Sequence, residues 1–164
     1  MDLNFYRFLS VWEVNASPED TYAVLEALDG YPDWWPEVKQ VRRIGDDTYA
    51  LRCRSILPYD LEFESTRAVQ DPSALVLEAR LTGDLEGFSR WDIKPWGKGA
   101  NAIFTEEVIA NTPLFRRLAP VARPAFRANH ALMMYRGRLG LRTYLAGYRF
   151  GRSETSRAVG PRNT

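Results

Sequence analysis

The sequence predicts an α+β fold in which one antiparallel sheet is covered by a single long C-terminal helix. Between Val41 and Ala110, short β-rich runs alternate with compact turn signals. From Ala125 to Gly160 no proline occurs, and apolar residues recur there at helical spacing. The length, 164 residues, supports one self-sufficient core but not two ordinary domains.

The run FYRFLSVWEV, Phe5 to Val14, is rich in aromatic and β-branched residues and reads as a first strand. A helix follows from Pro18 to about Leu28. Ser17 can accept from an amide three residues on, Pro18 suits the first helical position, and Glu19 with Asp20 place negative charge on the positive end of the dipole. Tyr22, Leu25 and Leu28 supply one apolar face, and Asp29 with Gly30 ends it. In YPDWWPEV, Pro32 and Pro36 bracket Trp34 and Trp35, so no uninterrupted helix can run through, and two indoles must find a large surface.

Six further strands are expected over 41–44, 49–56, 60–69, 74–81, 85–94 and 100–110. Connections this short join neighbours rather than parallel crossovers. Leu75, Leu77, Ala79 and Leu81 alternate with Glu78, Arg80 and Thr82, which gives the sheet one covered and one wet face. The covering element is the last helix. Pro113, Pro120 and Pro124 break its approach, and Phe126, His130, Met133, Gly137, Leu141 and Tyr144 then fall on one side. The domain is read as residues 1–147, and the arginine-containing segment 148–164 as a polar, disordered tail.

Composition narrows the chemistry. Lys+Arg number 22 against 21 Asp+Glu, a net charge of +1, which gives no field suited to collecting phosphates, so a nucleic-acid partner is not expected. Lysine occurs only at Lys39, Lys94 and Lys98, leaving 22 − 3 = 19 arginines, a bias that genomic base composition explains as readily as anion recognition. With one cysteine, Cys53, and one histidine, His130, there is no intramolecular disulfide and no nitrogen–sulfur ligand set for zinc. Neither a metal nor another cofactor is expected. No basic region followed by a long apolar stretch suggests a secretory signal, and no run of about 20 apolar residues spans a bilayer, so the expected compartment is the cytoplasm.

The order strand, short helix, paired-tryptophan turn, meander and long helix resembles the START-like superfamily (SRPBCC) of polyketide cyclases, dehydratases and lipid-transport proteins, over residues 5 to 146. The carriers are ASPEDTYAVLEAL, YPDWWPEV, GDLEGFSRWDIKP and FRANHALMMYRGRLGL. The resemblance implies a helix-grip fold, a curved antiparallel sheet around the long helix with an apolar cavity between them. One such scaffold serves many functions, so it speaks for a ligand class more than for a reaction.

Trp35, Tyr59, Phe63 and Trp91 are candidates for the cavity wall, with Cys53 beside them; each also suits an ordinary core. Trp91 stands out because Leu85, Gly87, Ser89 and Ile93 share its strand face, and the small residues leave open space. His130 is the one general-base candidate with an unperturbed pKa near neutrality, the plainer reading being a buried histidine satisfied by hydrogen bonds. Glu106 and Glu107 sit mid-strand, so one carboxylate should point inward. Register with Ile103 and Ile109 selects Glu107, whereas Phe104 and Val108 would select Glu106. An inward carboxylate can serve as acid or base unless Arg54, Arg67 or Arg90 pairs with it. Met133 and Met134 offer flexible surface for a varied ligand. LFRRLAPVARPAF, residues 114–126, is a candidate lid or transient membrane contact, its plainer reading a solvated face.

Three functions follow: binding, transport or sequestration of an apolar or aromatic, lipid-like or polyketide-like molecule; a cyclase or dehydratase using His130 or Glu107 for proton transfer; and an accessory protein meeting a partner or membrane. The oligomeric state is left open.

Overall fold

The computed structural model describes residues 4–158. Strand β1 (Phe5–Val14) leads into helix α1 (Pro18–Glu26), a 3-10 turn (Leu28–Gly30) and the one-turn helix α2 (Tyr31–Trp34). The meander follows as β2 (Val38–Arg43), β3 (Thr48–Cys53), β4 (Leu61–Asp71), β5 (Val76–Gly83), β6 (Leu85–Trp96) and β7 (Gly99–Ala110), and helix α3 (Pro113–Ala158) closes the chain. All neighbours in the seven-stranded sheet are antiparallel, in the order β1-β7-β6-β5-β4-β3-β2. This is the α+β helix-grip architecture, with α3 lying in the concave face of a curved sheet.

Local chemistry sets the element ends. Ser17 Oγ accepts from Asp20 N at 3.1 Å, and Pro18 occupies the first turn of α1. β2 starts at Val38, earlier than expected, because Val38 N donates to Trp35 O and the residue pairs with Cys53. β3 stops at Cys53 rather than Ile56. Beyond it Arg54 N turns to Glu37 O, and Ile56 N donates to Asn129 Oδ1 on α3 at 3.2 Å, which draws the loop over the helix.

Helix α3 differs from expectation at both ends. It begins at Pro113 instead of after Pro124. Pro113 sits in the first turn, where a missing N–H leaves no bond unmade. Pro120 and Pro124 are four residues apart, so the two donors they lack fall on one flank and the other side of the helix carries the backbone through. At the far end, residues 148–158 continue the helix in place of an irregular tail: Tyr148 packs on the main core and Arg149 Nη1 donates to Asn15 O at 3.0 Å. Residues 159–164 of the expected tail lie outside the described residues.

The seat of α3 is the paired-tryptophan turn. Trp34 and Trp35 stack with ring centroids 5.5 Å apart, and Trp12 meets Trp35 edge-on at 5.2 Å and Trp91 at 4.8 Å. The helix comes down onto these rings through two glycines. A Cβ on Gly137 would lie 2.6 Å from Trp35 Cε2, and one on Gly140 would overlap the Trp34 carbonyl oxygen. Trp35 Nε1 donates to Met133 O at 3.0 Å and fixes the helix along its axis.

Because the Trp34 carbonyl is backbone and cannot step aside, Gly140→Ala should cost about 2–3 kcal/mol, a fall in Tm of roughly 5–10 °C for a chain of this size. Gly147→Ala is the control, since its Cβ would meet nothing within 4 Å; it should leave Tm unchanged or raise it slightly through helix propensity. Thermal melts of both variants check the contrast.

Candidate functional site

The concave face and α3 enclose a cavity of about 150 Å³. Its position follows from how the core divides. One buried cluster gathers around Trp12, Trp34, Trp35 and Trp91. A second gathers around Tyr6, Phe8, Leu85, Val108 and Phe126. Phe63 touches both, and the space between them is the cavity.

The sheet supplies Leu51 and Cys53 from β3, Phe63 and Ser65 from β4, and Ser89 and Trp91 from β6. Helix α3 supplies Phe126, Asn129, His130, Met133 and Met134 on successive turns of one face. At one end Glu26, Arg67 and Glu78 line the wall, and the solvent-exposed Val69 marks where it opens.

Six of the expected wall residues therefore come together with His130: Trp35, Cys53, Phe63, Trp91, Met133 and Met134. Tyr59 does not join them. It packs against the second cluster from the β3–β4 loop, where burial pushes its hydroxyl up to about 12. Gly87 does not leave space either, since a Cβ there would run into the Glu107 carbonyl; Ser89 is the small residue that borders the cavity.

The inward carboxylate is Glu106, not Glu107. On β7 the buried set is Ala100, Ala102, Phe104, Glu106, Val108 and Ala110. Glu107 lies on the convex face, with Oε1 2.8 Å from Arg7 Nε of the neighbouring strand. Ile103 and Ile109 share that outer face, where β1 and β6 flank them, so their apolar character did not mark the inner side.

Glu106 Oε2 lies 2.9 Å from His130 Nε2, and Phe8 stacks on the imidazole with centroids 3.6 Å apart. Both side chains are nearly withdrawn from solvent, at 9% and 12% exposure. None of the arginines weighed as partners reaches Glu106: Arg54 binds Asp60, Arg90 binds Glu78 and Asp92, and Arg67 donates to Gln70 and to Glu26 O. The couple places one acceptor-rich and one donor-capable group in an apolar cavity, where it can orient a carbonyl or hydroxyl or pass a proton. Asn129 was not foreseen as a wall residue; its Oδ1 is occupied by the loop. Among the described residues no three His, Cys, Asp or Glu side chains converge as metal ligands. No helix among them is long and apolar enough to cross a membrane.

Burial pushes the Cys53 thiol up to about 12 from 9.0, and the negative charges of Glu106, Glu37 and Asp60 add to it. An acid raised in the folded state contributes stability that is intact below pH 9.0 and is lost as pH climbs toward 12. The loss approaches about 1.4 kcal/mol per pH unit. Tyr31, raised by burial and donating to Leu25 O, acts in the same direction at higher pH. Urea unfolding between about pH 8 and about pH 10.5 should show a steeper decline for the wild type than for Cys53→Ala, and equal slopes would contradict this account.

Several comparisons bear on this site. The family described as polyketide cyclase / dehydrase and lipid transport matches residues 8–145. Among solved structures, the Zhui aromatase/cyclase from Streptomyces sp. R1128 superposes with a TM-score of 0.72 at 15% identity, covering 87% of this chain and 94% of that one. A START superfamily protein from Mycobacterium smegmatis gives 0.65 at 17% identity, over 88% of this chain and 98% of its own. The di-domain ARO/CYC StfQ from the steffimycin biosynthetic pathway gives 0.68 at 17% identity, over 91% of this chain and 53% of that one. No curated protein matches the chain by sequence. At such identities the structures speak for the fold alone, while the family match spans most of the chain. The protein belongs to the polyketide cyclase / dehydrase and lipid transport family, with the START-like helix-grip fold.

Proposed function

We propose that this protein binds an apolar or aromatic small molecule, lipid-like or polyketide-like, in the cavity beneath α3. The observation that carries the reading is the composition of the wall. Aromatic and aliphatic side chains make up most of it, and the Glu106–His130 couple stands where a ligand's carbonyl or hydroxyl can meet it. Apolar walls supply area and a few polar groups supply orientation. Transport and sequestration are both served by such binding.

A second reading has its own support. A carboxylate hydrogen-bonded to an imidazole inside a ligand cavity is a proton-transfer pair, so the same site can run a cyclisation or dehydration on a bound reactive chain. His130 would relay the proton while Glu106 orients the ring. Glu107 has no part in this chemistry because it faces away.

Native mass spectrometry of freshly purified protein should reveal a bound apolar compound. Ser89→Phe, which fills part of the cavity, should abolish its binding while the fold persists. Added ligand at about a hundred times its Kd should stabilise the wild type by roughly 2.7 kcal/mol and leave Ser89→Phe unmoved. Failure to bind any apolar compound sinks the proposal. With a candidate substrate in hand, Glu106→Gln and His130→Ala decide between the readings: loss of turnover at unchanged affinity supports the enzyme, and absence of turnover in the wild type supports the carrier.

A further inference from the structure

The convex side of β1 has no role in the cavity, and it carries a run of exposed apolar strand residues. Leu9 is 70% exposed, Val11 51% and Phe5 38%. β1 also ends the sheet, paired on one side with β7 and on the other with no strand among the described residues. Its open edge can be assigned residue by residue. Asn4 O accepts from Ala110 N, so even-numbered residues turn their backbone groups toward β7. Odd-numbered residues turn theirs outward. The two ends of that outer edge agree: Arg123 Nη1 donates to Phe5 O at 3.2 Å, and Arg149 Nη1 donates to Asn15 O at 3.0 Å. Between these arginine caps lie Arg7, Leu9, Val11 and Glu13, with N–H and C=O outward and side chains on the convex face.

A strand edge with apolar side chains, no proline and no register shift is open to pairing with another strand. We infer that β1 is a self-association site, pairing antiparallel with β1 of a second copy about a two-fold axis through Ser10. The register selects itself. Centred on Ser10, Leu9 stands opposite the partner's Val11, and Arg7 opposite the partner's Glu13, at both ends. The neighbouring two-fold registers, centred on Leu9 or on Val11, set Arg7 against Val11 or Asn15 and pair no opposite charges. In the Ser10 register each outward-turned, odd-numbered residue faces another odd-numbered one, so the outward backbone groups bond each other. The charges are available for the same contact. Arg7 meets Glu107 through Nε, and its side chain is 69% exposed, within reach of a partner. Glu13 accepts from Trp96 Nε1 through Oε1, which leaves Oε2. The result is one continuous sheet across two copies, with Leu9 and Val11 covering each other.

The charge pairing gives a direct test by light scattering and sedimentation of the full chain. The wild type should form a species of twice the 18.8 kDa chain mass. Glu13→Arg leaves two arginines facing two arginines across the axis, and Arg7→Glu leaves two glutamates facing two glutamates. Each alone should raise the dimer Kd at least about tenfold, the effect of 1.4 kcal/mol. Mixed together, the two variants should form a one-to-one dimer, because every arginine then faces a glutamate; this recovery also shows that both are folded. Amide exchange at Arg7, Leu9, Val11 and Glu13 should slow as wild-type concentration rises. A wild type that stays monomeric, a dimer indifferent to both substitutions, or variants that do not recover on mixing would each overturn the assignment.

Discussion

The close approach of α3 to the paired-tryptophan turn governs the rest of the molecule. Two glycines remove the Cβ atoms that would hold the helix away from Trp34 and Trp35, and the Trp35 indole then hydrogen-bonds the Met133 carbonyl. A helix is rigid over such distances, so one fixed crossing point sets the depth of every residue on that face. His130 lies seven residues before Gly137, two turns and about 10 Å along the axis. It therefore arrives opposite the middle of β7, where Glu106 is the inward residue. Without the glycine seat the helix would stand farther from the sheet, and the 2.9 Å contact that gives the cavity its polar point would not form.

The same seat explains why the interior is divided. The indoles of Trp12, Trp34, Trp35 and Trp91 fill the space beside the glycines, while Tyr6, Phe8 and Phe126 fill the space toward the start of α3. β7 is graded to match. Its inward residues are Ala100 and Ala102 at one end, Phe104, Glu106 and Val108 in the middle, and Ala110 at the other end. Small residues let neighbouring elements close at the ends, Phe104 and Glu106 face the cavity, and Val108 packs in the second cluster. Phe8 belongs to the second cluster yet lies flat on His130, so the packing that closes one end also sets the plane of the imidazole.

Much of this was readable because it is local. The cap at Ser17, the glycine turn before β7 and the period-two patterns of β4 and β5 are written within a few residues of each other. The paired tryptophans announced a large packing surface, and the apolar face of α3 named His130, Met133 and Met134. What escaped depends on pairing between distant segments. The phase of β7 was misread because Ile103 and Ile109 are β-branched, yet the strands on either side flank them on the convex face. The alternating alanines at 100, 102 and 110 carried the correct phase, since only small side chains fit where backbone closes on backbone. Tyr59 was placed by residue type alone, and a loop held by Asn129 took it elsewhere. The prolines before Ala125 were read as a break because their effect on neighbouring bonds is local, whereas the helix they interrupt is held by packing along its whole face.

The cavity itself has an energetic consequence. Empty apolar volume costs about 24 cal/mol per Å³ in cores that cannot collapse. A sealed void of 150 Å³ would cost roughly 3–4 kcal/mol; opening near Val69 makes that an upper bound here. A core free to repack would remove such a void. Here it persists because its walls are tied to structures that cannot follow one another inward: the sheet by its ladder, the helix by the glycine seat, and the loop by Asn129. The cost is offset when the space is filled, so an apolar occupant couples to the stability of the whole fold. Water is a poor occupant, since beyond the Glu106–His130 couple and the rim the walls give it few partners. Rigid walls, a mostly apolar lining and one internal ionisable couple thus favour the same kind of guest, a mostly apolar molecule with a group able to hydrogen-bond.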